Sequence, residues 1–461
     1  MSHSILRRRS CSRANKLFAL LSILRYENDG SGASIRRDVR VTFSTTFAFS
    51  DWLRDICERQ PEAARLLSAP EEEQHRRGYF HTLREIFQQP SSWLYTAEQM
   101  SLLASDLRPC LAGIMNLLLT GSGSSEYAGH CVRLALQNQL SVNTLAIGGG
   151  VLLTHGVNAL PLERPGLVVS LARSGDSPES VGALALLLEL DPQLRHLVLT
   201  CNASGKLATS FRGDSRVRVV ALDDETNDRS LVMTSSFTNL VIAAQFLGFL
   251  EKPDVYQSRC QKLSGIVTEL LQDHFGTLAQ VATLNFQRAV FLGTGARFGA
   301  AREAALKMME MTAGEVSAMS ETYLGLRHGP MSYVHPDTLV ICFLSSDPTV
   351  RAYECDLMRE LDQKNLGLLK LVVGDHVPPD VVRDHDVVIN LGLAQAGDDS
   401  TPVIDVVVGQ LLGFFRCMHE GLRPDSPSES GVINRVVQSF TLHFPAGGSS
   451  APIRNPSGDG N

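Results

Sequence analysis

The period of the apolar positions changes along the chain. From Phe43 to about Met115 they recur at spacings of three and four, in stretches such as DWLRDICERQPEAARLL, GYFHTLREIFQQP and TAEQMSLLASDL, with prolines between them. That is the period of amphipathic helices, and it predicts a helical N-terminal section over 43–110. Beyond it, short β-type apolar runs alternate with longer helical runs, which is how a parallel α/β sheet reads.

The α/β part divides into two related blocks. The first runs NLLLT, GSGSS, EYAGHCVRLALQNQ, then GLVVSLA, RSGDSPES, VGALALLLEL and HLVLTCN; the second runs RAVFLG, TGARFGAAREAALKMMEM, DTLVICFLSSDP, YECDLMRELDQKNLG and LLKLVVGD. LLLTGSGSSEYAG and VFLGTGARFGAAR share the strand, the G-x-G turn and the helix start, so Gly121 and Gly123 pair with Gly293 and Gly295 at one offset. The following strands end alike, in ARSGDSP and LSSDP. The fold class expected is therefore α/β, with two tandem doubly wound parallel-sheet domains over 111–250 and 251–425, joined by the helical stretch SFTNLVIAAQFLGFLEKPD. A C-terminal segment, 426–445, contains GVINRVVQ. Residues 1–42 read as a disordered extension, and the Gly/Ser/Pro-rich 446–461 as a disordered tail.

Composition narrows the function classes. At 461 residues and 44% apolar, the chain can fill more than one core. A formal net charge of −7, with basic residues mostly scattered singly, predicts no nucleic-acid and no anionic-membrane partner. RRRSCSR followed by LFALLSIL resembles the start of an export signal, but the apolar run spans only about eight residues and no clear A-x-A site follows. The nine cysteines are widely spaced, with no CxxC and no Cys/His cluster, which suits reduced thiols in a cytoplasmic protein and predicts no metal.

A glycine-rich turn between strand and helix leaves backbone N–H groups aimed at open space, where an anion binds. GSGSSE lacks a third glycine in register, GTGARFG is displaced by one, and no acidic residue stands at the next strand end, so a dinucleotide fold is disfavoured. Hydroxyls take that place: Ser122, Ser124 and Ser125 in one loop, Ser174, Ser177 and Ser180 in the other. They suit a compact phosphate monoester, although Ser124 or Ser177 could equally cap a helix. Arg173 is placed to meet either the phosphate or a surface carboxylate.

On the later helix, Glu303, Lys307 and Glu310 fall at spacings of four and three and share a face. Alone, that is a solvated salt-bridged stripe as readily as a site. Here the helix starts at a predicted ligand loop, and GLRHGP then sets His328 on a Gly-Pro turn.

The combination of GSGSS, ARSGDSPES, ALKMMEMTAG, GLRHGP and GVINRVVQ resembles the double sugar isomerase (SIS) domain proteins of the tagatose-6-phosphate ketose/aldose isomerase family, the galactosamine-6-phosphate deaminase/isomerases. More distantly it is similar to the isomerase half of glucosamine-6-phosphate synthase. The resemblance runs from about Gly78 to about Pro445. It implies a phosphosugar held by Ser124, Ser125, Arg173, Ser174 and Ser177 around the turn of Gly121 and Gly123, a catalytic glutamate at Glu310, and a ring-opening histidine at His328 that in such enzymes reaches a neighbouring chain's site. A homodimer or larger homo-oligomer follows from that implication. Where the synthase has a tail lysine, NRVVQSF puts Gln438, with Arg435 as a looser candidate.

The reaction these residues suit needs no cofactor. A histidine opens the cyclic sugar, and a carboxylate moves a proton between the first two carbons. With an amine on the second carbon the product imine is hydrolysed to ammonia and a 2-ketose phosphate. A plain aldose/ketose isomerase and a non-catalytic sugar-phosphate-binding regulator share the serine loops and remain alternatives.

Overall fold

The computed structural model describes residues 45–428, 431–437 and 440–443. The extension expected over 1–42, the tail over 446–461 and Gln438 fall outside these described residues. Short helices, among them Pro61–Leu67, Phe80–Phe87, Gln89–Leu102 and Ala104–Leu111, precede the first strand. Their buried residues, such as Leu83, Ile86, Trp93 and Leu107, join the main core.

The first sheet comprises β1 (Asn116–Gly121), β2 (Asn143–Gly148), β3 (Gly166–Ala172), β4 (Leu194–Thr200) and β5 (Val217–Ala221), in the order β2-β1-β3-β4-β5. The second comprises β6 (Arg288–Leu292), β7 (Ser317–Glu321), β8 (Thr338–Phe343), β9 (Leu369–Val373) and β10 (Val387–Ile389), in the order β10-β9-β8-β6-β7. Read from the other edge, this is the same topology. All the pairs are parallel, and Asn116 opposite Gly166 in the first sheet matches Arg288 opposite Thr338 in the second. Two doubly wound parallel sheets with helices on both faces are thus present, as the alternating pattern predicts.

The central strands are continuous apolar runs because both faces are covered: β1, β3, β8 and β9 are buried throughout, whereas the edge strand β7 is largely half-exposed. Successive residues feed different cores. Leu117 and Leu119 face the large core shared by both halves, while Leu118 packs with Ala183 and Leu187 of helix Pro178–Leu190. In β6, Ala289 and Phe291 face the shared core, and Val290 and Leu292 pack with Leu357, Met358 and Leu361.

The G-x-G turns are superimposable in conformation. Gly123 has φ 58° and ψ −126°, and Gly295 has φ 62° and ψ −126°. Side chains are strained there, so glycine is required. A Cβ on Gly121 would lie 2.6 Å from the Ser125 carbonyl carbon, and one on Gly293 2.5 Å from the Arg297 carbonyl oxygen.

The two helices leaving these turns, Ser124–Leu140 and Ala296–Met311, pack antiparallel. Gly299 meets Cys131 so closely that a Cβ would stand 2.6 Å from the Cys131 amide nitrogen, while further along Lys307 reaches Ser124. Each half's helix therefore delivers its C-terminal part to the other half's turn. Helix Pro402–His419 has the length and composition of a membrane span, yet 89% of it is buried in this fold, with Gly409 and Gly413 against the helix Ala296–Met311.

Candidate active site

The first half's strand order reverses between β1 and β3, and the crevice at such a point is where open α/β sheets bind ligands. Ser124 and Ser125 begin the helix after Gly123 and are nearly buried. Ser177 sits at the start of helix Pro178–Leu190, where its carbonyl accepts the Ser180 and Val181 amides at 3.1 Å each. Neither helix start has a side-chain cap, so these hydroxyls are not consumed as caps. Among the described residues, the Ser125 hydroxyl has only a long contact, 3.8 Å, to Met233 Sδ. Ser174 Oγ accepts the Asp176 amide at 3.2 Å. Ser122 Oγ is buried without a hydrogen-bond partner among the described residues.

The acidic-basic stripe on helix Ala296–Met311 is not solvated. Glu303 and Lys307 are wholly buried, and Glu310 keeps 24% of its side chain exposed. Lys307 Nζ lies 2.5 Å from Glu310 Oε2 and 3.2 Å from Glu303 Oε1, and donates to Ser124 Oγ at 3.1 Å. Burial pushes the Glu303 carboxyl up to about 7, against the pull of Lys307. Burial opposes the charge on Lys307, but the two carboxylates prevail and raise its pKa. A buried ammonium is expensive to desolvate, and the neighbouring Glu303 and Glu310 carboxyls offset that cost. The result is a partly exposed carboxylate at the serine-lined turn, backed by a fixed cation. Spacing alone placed these three on one face; the role of Lys307 in joining them to Ser124 was not legible, because it depends on the opposite half.

Arg173 is buried, and among the described residues its guanidinium meets no surface carboxylate. Nη1 donates to the Ser230 and Leu231 carbonyls at 3.3 and 2.9 Å, and Nη2 to the Arg435 carbonyl at 2.8 Å. Burial lowers its pKa, opposed by Asp228. Arg435 in turn donates from Nε to the Asp228 carbonyl at 2.8 Å and from Nη2 to Asn227 Oδ1 at 2.6 Å. The C-terminal segment thus lies against the loop after β5, and further on Leu442 reaches helix Pro178–Leu190, where a Cβ on Gly182 would be 2.9 Å from its Cδ1.

His328 stands elsewhere. It follows helix Tyr323–Leu326 beyond the edge strand β7, is exposed, and among the described residues has no side-chain partner in its own chain. Gly329, with φ 127°, and Pro330 turn the chain behind it. Among the described residues no cluster of His, Cys, Asp and Glu is arranged to hold a metal ion.

Two doubly wound halves thus meet where the serine-lined turn of one faces Glu303, Lys307 and Glu310 of the other. No family model matches the chain. It is 34% identical over 385 residues to the D-galactosamine-6-phosphate deaminase AgaS of a Shewanella species, covering 82% of this chain and 95% of that one. The crystal structure of tagatose-6-phosphate ketose/aldose isomerase from Escherichia coli superposes with a TM-score of 0.70 at 29% identity, over 79% of this chain and 96% of that one. The C-terminal domain of glucosamine-fructose-6-phosphate aminotransferase from Francisella tularensis shares the fold, with a TM-score of 0.66 at 17% identity over 75% and 98%. The chain belongs to the AgaS family of sugar-phosphate deaminase/isomerases, and it is an enzyme of that class.

Proposed function

We propose that the protein converts galactosamine 6-phosphate and water to tagatose 6-phosphate and ammonia. Ser125, Ser174 and Ser177, with Ser124 and the backbone of the Gly121–Gly123 turn, receive the phosphate, and Arg173 adds positive potential behind them. Glu310 takes the proton from the second carbon of the opened sugar, giving an enolamine, and returns it to the first carbon. The resulting imine at the second carbon adds water and expels ammonia, leaving the ketone. Lys307 holds Glu310 oriented for the transfer. His328 opens the ring from a neighbouring copy, so the working form is at least a homodimer. The observation that carries this reading is Lys307, bonded to Glu310 at 2.5 Å and to Ser124 at 3.1 Å, which ties the acid-base helix of one half to the anion turn of the other.

The test is a panel of hexose and hexosamine 6-phosphates assayed for ammonia and ketose. Galactosamine 6-phosphate should release both in equal amounts. Activity confined to unaminated aldose phosphates would make the protein a plain isomerase. His328→Ala should lower turnover by about 10²- to 10⁴-fold. Mixing it with Glu310→Gln should restore part of the activity, whereas two inactive variants that never complement would rule out a shared site.

A further inference from the structure

Helix Phe80–Phe87 belongs to neither sheet domain, yet two segments near the serine loops hang from it. At its start, the His81 and Thr82 amides and the Thr82 hydroxyl donate to the Asp425 carboxylate, at 3.2, 2.7 and 2.8 Å. Asp425 also returns its own amide to the Gly78 carbonyl at 2.7 Å and accepts the Leu231 amide at 3.0 Å. One turn further on, Glu85 Oε1 accepts the Arg229 and Ser230 amides at 2.6 and 3.1 Å, and its Oε2 accepts the Ser230 hydroxyl.

Glu85 is only 6% exposed and the donors bound to it are neutral. Burial and the neighbouring Asp228 push the Glu85 carboxyl up to about 8, and a helix that needed only to pack would do better with an apolar residue. Its three bonds fix the strap at Arg229–Ser230. The carbonyls of Ser230 and Leu231 in that strap are the ones Arg173 grips, and the same guanidinium grips Arg435 of the C-terminal segment. An unbroken run of hydrogen bonds thus leads from Glu85 through the strap to Arg173 and the C-terminal segment.

We propose that Glu85 is a positioning residue for the phosphosugar site, acting through the strap at Arg229–Leu231 to hold Arg173 and residues 431–437 in place beside the serine loops. This rests on the reading of those loops as the phosphate site. It adds to that reading a residue from the N-terminal helical section, which touches no substrate.

Glu85→Gln keeps the shape but replaces one carboxyl oxygen with an amide nitrogen that cannot accept the Ser230 hydroxyl. Hydrogen exchange on the full chain without ligand should then be about tenfold faster at the Arg229 and Ser230 amides and about fivefold faster over 435–437. With galactosamine 6-phosphate, KM should rise about fivefold or more while kcat stays within about twofold, the split expected of a lost ground-state positioning contact. Exchange unchanged in both segments overturns the proposal, and so does a fall in kcat with KM unaltered. If the wild type never acts on galactosamine 6-phosphate, the functional reading fails, and the exchange measurement still decides whether Glu85 holds the strap and the C-terminal segment. Should Glu85→Gln not fold, Ser230→Ala, which removes one donor and leaves the carboxylate, must show the same faster exchange in both segments, and its absence overturns the proposal.

Discussion

The two halves share strand order, register and turn conformation, yet the side chains at their matched positions differ. In the first, the position after the turn is Ser125, whose hydroxyl faces Met233 Sδ. In the second, the matching position is Arg297, which fills the crevice. Its Nε and Nη2 each bond the Asp405 carboxylate at 2.7 Å, with the pair 1% and 0% exposed, and Nη1 and Nη2 close on the Leu344 and Val373 carbonyls at the ends of β8 and β9. Asp398 bonds Ser345 and Ser346 of the loop that corresponds to the first half's serines, which ties those hydroxyls down. The helices differ in the reverse sense: Glu303, Lys307 and Glu310 stand where the first half has Cys131, Ala135 and Asn138. Antiparallel packing of the two helices creates two composite sites, each built from one half's turn and the other's helix. One keeps both the turn and the acid-base groups; the other has been converted into a buried ion pair.

The comparison predicts unequal consequences for matched substitutions. Glu310→Gln should lower kcat by about 10²- to 10⁴-fold, whereas Asn138→Ala at the matching exposed position should leave it within about twofold; equal effects would mean that both composite sites act. Arg297→Ala should destabilise the fold by about 3–5 kcal/mol, because Asp405 is left buried and unpaired. Ser125→Ala should lower the denaturant midpoint far less, within about 1 kcal/mol, and raise KM instead. Ser124→Ala removes a neutral acceptor from Lys307, and since hydrogen bonds to charged groups are worth about 1.5–3 kcal/mol, kcat/KM should fall by about 10- to 150-fold. A loss much smaller than that would place the Lys307–Ser124 contact outside the reaction.

A further expected change concerns pH. The fold raises the Glu303 carboxyl to about 7, so its contribution to stability is full below its unfolded value of about 4.3 and is lost as pH rises through about 7. Glu303→Gln should therefore flatten the decline in melting temperature across that interval. An unchanged profile would mean that Glu303 stays ionised throughout.

Much of this division was legible before any coordinates. The paired glycines mark the duplicated turns because few residues other than glycine adopt a φ near 60° with ψ near −126°. The three-and-four spacing puts Glu303, Lys307 and Glu310 on one face, and the hydroxyl count separates the loop of Ser174 from that of Ser345 only in part. Arg297 gave no signal as a plug, since an arginine in a helix's first turn reads as surface. Glu85 and Asp425 gave none either, because their partners lie far away in the chain, at Ser230 and Thr82. The engagement of Arg173 with carbonyls rather than a surface carboxylate also depended on where the loop after β5 and the C-terminal segment come to rest.

Local sequence by itself determined the two parallel sheets, the glycine turns and the residue types able to move a proton, because period and backbone conformation are properties of neighbouring residues. Whether Arg297 fills its turn, whether the charged stripe is buried, and which helix serves which half were decided only in the tertiary structure. Burial and the partner across the interface set the ionisation and orientation of a side chain, and in this protein the partners come from the opposite half or from segments remote in the chain.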